Sequence, residues 1–121
     1  CATIFGKERI DISKPVVVVE GPFDSMFIDN CIAVVGIGTN KIDFDADFIY
    51  CFDNEPRNKA TVKNMNTHLA NGNKVVIWPE KIRNKDINDM YLSGIDVQEI
   101  INSNIYEGPK GTVKLGMWKK V

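Results

Sequence analysis

Four short apolar runs punctuate the chain: VVVV at Val16–Val19, CIAVVG at 31–36, FIYCFD at 48–53 and KVVIW at 74–78. They are continuous rather than alternating, the pattern of strands buried on both faces in a parallel sheet. Between the last two, residues 57–71 carry Val62, Met65 and Leu69 at helical spacing and close on Gly72, which predicts an amphipathic helix. A shorter helix is predicted over 24–30, with Phe23, Met26 and Phe27 on one side, and two more over 87–92 and 97–105. A short strand is expected at 2–5. Strands alternating with helices imply parallel crossovers, hence an α/β three-layer sandwich around a central, mostly parallel four-stranded sheet. Beyond Gly108, PKGTVKLGMWKKV reads as a lightly basic tail with no assigned element.

Acidic residues follow three of these runs. Glu20 ends the first, before a Gly21-Pro22 turn and Asp24; Asp53 ends the third, with Glu55 after it in DNEPR; Asp86 and Asp89 follow the fourth in KDINDM. The carboxyl ends of parallel strands share one edge, so these side chains are expected to converge. Gathering carboxylates without basic partners is costly unless divalent cations neutralise them, which points to magnesium. Each group also has a purely structural reading. Glu55 and Pro56 suit a helix start, Asp86 and Asp89 suit a helix cap and first turn, and Glu20-Gly21-Pro22 suits a plain turn. Acids at three strand ends together favour a site over three separate accidents.

Composition narrows the setting. A chain of 121 residues with 44% hydrophobic and 26% charged residues is one globular domain. No apolar run approaches the ~20 residues that span a bilayer, and no secretory leader pattern opens the chain, so a cytosolic setting is expected. The start at Cys1 rather than Met suggests the excised end of a longer protein. Three dispersed cysteines support neither a disulfide framework nor a zinc site, and Cys31 and Cys51 are expected in the core. The net charge of −1 argues against a broad nucleic-acid surface acting unaided; any such role is local or shared with missing parts.

Other motifs carry less. DFDAD (Asp43, Asp45, Asp47) fails as a calcium loop, because Phe48 stands where glycine is needed and Asn54 where glutamate is needed. GIGTN at 36–40 lacks both the Rossmann spacing and the phosphate-loop GK[ST]. His68 is expected on the surface of its helix, and Trp78 and Trp118 are read as packing residues rather than base platforms.

A strand ending in Glu-Gly with Asp three residues on, a later strand ending in Asp-x-Asp/Glu, and a downstream Lys-Asp-x-x-Asp together resemble the Toprim domain of topoisomerases, primases and certain nucleases. VVVVEGPFDSMFIDNCIAVVG, DNEPR with its helix, and NKDINDM are further similar to the C-terminal portion of the DNA primases of T-even-like tailed bacteriophages. The resemblance places a Toprim domain over 1–108, with its core at about 14–106, and a basic C-terminal tail over 109–121.

The resemblance implies magnesium-dependent nucleotidyl transfer that makes RNA primers on single-stranded DNA during phage replication, manganese being a substitute metal. Glu20, Asp53 and Glu55 take the catalytic positions, and the same three with Asp86 and Asp89 form the metal set. The second acid of the Asp-x-Asp pair is Glu55 here, which changes reach and keeps an oxygen ligand. Lys85, Arg57, Asp24 and Asn54 occupy substrate-binding positions. It further implies ribonucleotides as substrates, missing N-terminal primase subdomains, a replicative helicase as partner, no membrane, the cytoplasm of an infected bacterial host, and little activity for the piece alone. The alternatives are a Toprim nuclease or topoisomerase-related domain, although Tyr50, Tyr91 and Tyr106 sit in ordinary structural contexts for a nucleophile. The non-enzymatic alternative is a receiver-like signalling domain phosphorylated on Asp53.

Overall fold

A computed structural model describes residues 3–35 and 42–121; GIGTN therefore lies outside the described residues. The four apolar runs form β2 (Val16–Val19), β3 (Cys31–Val35), β4 (Phe48–Tyr50) and β5 (Lys74–Val76), all mutually parallel. Val16 to Val19 are each no more than 6% exposed, as a strand covered on both faces requires. Burying side chains of this size contributes roughly 1.5–3 kcal/mol apiece.

Among the described residues the sheet has six strands rather than four. β1 (Thr3–Phe5) joins β3 antiparallel at one edge and β6 (Ile105–Tyr106) joins β5 antiparallel at the other, giving the order β1-β3-β2-β4-β5-β6. The sequence pattern predicts helix through Ile105, but helix α4 stops at Asn102 (Val97–Asn102). Two β-branched or aromatic residues then pair with Val75 and Val76.

The strand order sets where a ligand can sit. From β2 the chain passes through α1 (Pro22–Ser25) to β3 on one side, and from β4 through α2 (Lys59–Ala70) to β5 on the other. Right-handed crossovers running in opposite directions put their helices on opposite faces. Accordingly, α1 contacts β2, β3 and α3 (Ile87–Leu92), whereas α2 packs with β5 and with α5 (Gly108–Trp118). The reversal falls between β2 and β4, and sheets of this kind place ligands at the carboxyl ends of the strands that flank it.

Several local expectations need correction. The helix expected over 24–30 is a single turn, and Phe23 and Met26 are exposed. Phe27 instead stacks on Tyr91 with centroids 4.4 Å apart. Asn30 then adopts a left-handed backbone (φ 49°), and its side chain hydrogen-bonds Asp11 and Pro15, leading the chain into β3.

His68 is buried rather than on the surface, stacked on Tyr50 at 3.7 Å and hydrogen-bonded to Asn73. The basic tail is also no tail. Residues 108–118 form α5, whose Leu115 and Trp118 are buried and whose Gly111 lies so close to α2 that an added Cβ would sit 2.6 Å from Leu69 Cδ2. Cys31 and Cys51 lie in the core, as expected.

Candidate functional site

The carboxyl ends of β2 and β4 bring together acids that are 33 residues apart in the chain. Val18 pairs with Tyr50, so Glu20, one residue past β2, and Asp53, three residues past β4, emerge at the same edge of the sheet. The Asp53 backbone N–H favours the ionised form of the Glu20 carboxylate. Burial pushes the Asp53 carboxyl up to about 7, with further upward pressure from Glu20, Asp24, Asp86 and Glu55. Burial, then Glu55 and Asp24, likewise raise Glu20 against the opposing effect of the Asp53 N–H. Five carboxylates thus share one electrostatic neighbourhood.

Each acid has a distinct local frame. Asp24 is buried; its Oδ1 accepts the Asn88 N–H at 2.9 Å, which ties α1 to α3. Its other oxygen explains Gly21, whose backbone (φ −103°) needs no glycine but whose added Cβ would lie 2.9 Å from Asp24 Oδ2. Glu55 is released from helix capping: Asn58 caps α2, its Oδ1 accepting from Ala60 N at 2.9 Å and Thr61 N at 3.2 Å. The Glu55 carboxylate instead receives Asn58 Nδ2 at 3.2 Å and lies 3.9 Å from Lys85 Nζ.

Asp86 and Asp89 follow their structural reading more closely. Asp86 is the N-cap of α3, accepting the Asp89 N–H at 2.8 Å. Asp89 is exposed and receives Asn84 Nδ2 at 3.2 Å; it is not among the groups acting on Asp53. Capping does not remove Asp86 from the cluster, since its charge still acts on Asp24 and Asp53.

Asn54 is spent inside the protein. Its side-chain nitrogen donates to Ile82 O at 2.9 Å and Asn84 O at 3.1 Å, its backbone N–H donates to Lys85 O at 2.6 Å, and its Oδ1 accepts the Trp118 indole at 3.2 Å. Asn54 therefore fixes the 82–85 segment and α5 beside the acids. Trp78, buried, does similar work by donating Nε1 to Phe52 O at 2.8 Å. Sequence reading missed the part played by Trp118 because its partner lies 64 residues away.

A groove of about 860 Å³ flanks the cluster and shares Glu55 with it. Arg57 and Lys85 line this groove, whereas Glu20, Asp24 and Asp53 do not. Among the described residues, no three His, Cys, Asp or Glu side chains stand ready-made around a metal position. The donor chemistry nevertheless fits a hard divalent cation: all the acids offer oxygen, and among the described residues their one ion-pair contact is the long Lys85–Glu55 pair.

The fold and these acids define a class: a mixed α/β domain whose sheet gathers carboxylates at the strand-order reversal. Over 98% of its length the chain is similar to a DNA primase of Enterobacteria phage T4, with 32% identity across 125 aligned residues. It spans 36% of the length of that relative. No protein-family model matches the chain. Among the described residues, no helix is long and apolar enough to cross a membrane.

Proposed function

We propose that this domain is the Toprim-type catalytic part of a phage DNA primase and performs magnesium-dependent nucleotidyl transfer in RNA primer synthesis on single-stranded DNA. The observation that carries this reading is the gathering of Glu20, Asp24, Asp53, Glu55 and Asp86 in one place, where burial, and after it the neighbouring charges, raise the Asp53 carboxyl to about 7. Such crowding disfavours the ionised protein by itself and favours it with cations bound.

In this reading Glu20, Asp53 and Glu55 hold magnesium, or manganese in its place. A metal held there would neutralise the triphosphate of an incoming ribonucleotide and lower the pKa of a primer 3′-hydroxyl. The 3′-hydroxyl would release its proton to water as its oxygen bonds the α-phosphorus, the bond from that phosphorus to the oxygen bridging the β-phosphate would break, and pyrophosphate would leave. Asp24 keeps α1 and α3 in register around the acids through Asn88, while Asn54 holds the 82–85 segment in place. Lys85 and Arg57 supply cations for the triphosphate. Template handling falls to N-terminal primase subdomains, with a replicative helicase as partner, in the cytoplasm of the infected host.

The test is a magnesium or manganese titration followed by backbone NMR, with and without a ribonucleoside triphosphate, on this chain and on Asp53→Ala. Saturable shifts or broadening at Glu20, Asp53 and Glu55, abolished by the substitution, are expected. Silence at all three with nucleotide present would sink the reading.

A further inference from the structure

The groove beside the acids has a charge that the chain as a whole lacks. The chain carries a net charge of −1. The groove is lined by Arg57, Arg83, Lys85, Lys114 and Lys120, set against only Glu55 and Glu80. Among the described residues, ion pairing reaches one of these five cations, Lys85, and that contact is 3.9 Å long. Lys114 rests over the Tyr106 ring at 5.9 Å, which leaves its charge in place.

The walls of the groove are fixed. They come from three segments: the turn after β4, residues 78–85 and the end of α5. Asn54 fastens the second to the first, the Trp118 indole fastens α5 to Asn54, and the Lys120 N–H donates to Pro56 O at 2.8 Å. Cations drawn from three tied segments around one open channel match a chain of linked phosphates better than a single anion. Glu55 of the acid cluster is part of the groove's lining.

We propose that this groove binds the phosphodiester backbone of a single-stranded nucleic acid and leads it to or from the acid cluster. The choice of nucleic acid over an acidic peptide rests on the nucleotidyl-transfer reading of that cluster. Contact is through the backbone and not the bases. Trp78 and Trp118 are 1% and 9% exposed, and both give their indole N–H to the protein, so neither offers a face for base stacking. Binding is therefore independent of sequence and steeply dependent on salt.

Fluorescence anisotropy with a labelled thymidine oligonucleotide of about 12 nucleotides, at salt from about 20 mM upward, tests this on the chain as described. Lys114→Ala/Lys120→Ala is compared with Lys7→Ala/Lys14→Ala, an equal loss of charge outside the groove. The groove pair is expected to weaken binding roughly ten-fold at the lowest salt and to flatten log K against log salt by about 1.4, at ~0.7 per lost phosphate contact. The other pair leaves both quantities near wild type.

Equal behaviour of the two pairs, or no salt-dependent binding by the wild type at the lowest salt, would overturn the proposal. Weakening of ATP binding by Lys114→Ala/Lys120→Ala to the same extent as oligonucleotide binding would also overturn it, assigning these two lysines to a triphosphate rather than to a nucleic-acid backbone. The magnesium titration separates this claim from the one beneath it. Loss of the metal response with groove binding intact refutes the catalytic reading, and the reverse result refutes the groove.

Discussion

Trp118 donates its indole N–H to the Asn54 side-chain oxygen at 3.2 Å, joining the last helix to the turn that carries Asp53 and Glu55. Trp118→Phe keeps most of the buried volume and removes the donor, so a loss of about 1 kcal/mol is expected. Asn54→Ala also strands the carbonyls of Ile82 and Asn84, and a larger loss, about 2–3 kcal/mol, is expected. Urea denaturation of the two variants measures the difference. Equal losses would mean that Asn54 does not organise the 82–85 segment.

Asp53→Asn is expected to stabilise the metal-free protein at pH 7.5 while removing its response to magnesium. The sign follows from linkage: a carboxyl whose folded pKa is raised to about 7 binds its proton more tightly when folded. Its contribution is present below the ordinary value of 3.8 and is lost as pH rises from there through 7. The gain on substitution should therefore vanish near pH 3.5 and grow towards neutrality. Thermal melts across that range, in EDTA and in magnesium, check it.

Gly21→Ala places a Cβ 2.9 Å from the buried Asp24 carboxylate, so a loss of about 1–3 kcal/mol is expected. Because the conflict is with a side chain and the backbone is ordinary, Gly21→Ala/Asp24→Ala should cost less than the sum of its single substitutions. Additive losses in a double-mutant cycle would show that Gly21 matters for another reason.

His68 titrates below its ordinary value because burial penalises the imidazolium. Its folded pKa is depressed, so protonation favours the unfolded chain; stability falls as pH drops through 6.5 and levels off below the folded value. His68→Phe retains an aromatic face for Tyr50 and should flatten that part of the stability–pH curve. An unchanged curve would place the acid sensitivity elsewhere.

The sequence was most readable where one physical requirement dominated. Continuous valine at 16–19 and acids at the strand ends led to the parallel core and to the positions of Glu20 and Asp53, because buried runs and strand-end chemistry are local signals. Helix α5 was illegible for the opposite reason: Gly111 and Gly116 each weaken a helix by about 1 kcal/mol relative to alanine. That helix is held by contacts with α2 and Asn54, which no local pattern contains. His68 misled for a similar reason, since its stacking partner Tyr50 lies on a neighbouring strand. The second reading of Glu55 was resolved by Asn58, three residues on, which took over the cap.

The two outermost strands, three residues in β1 and two in β6, have a bearing on how copies of this chain behave in concentrated solution. Each runs antiparallel to the parallel core and ends the hydrogen-bond ladder almost as soon as it begins. A neighbouring molecule seeking to extend the sheet would find a rung or two on either side, too little for lasting edge-to-edge growth. The long, apolar strands that would template aggregation are enclosed at the centre.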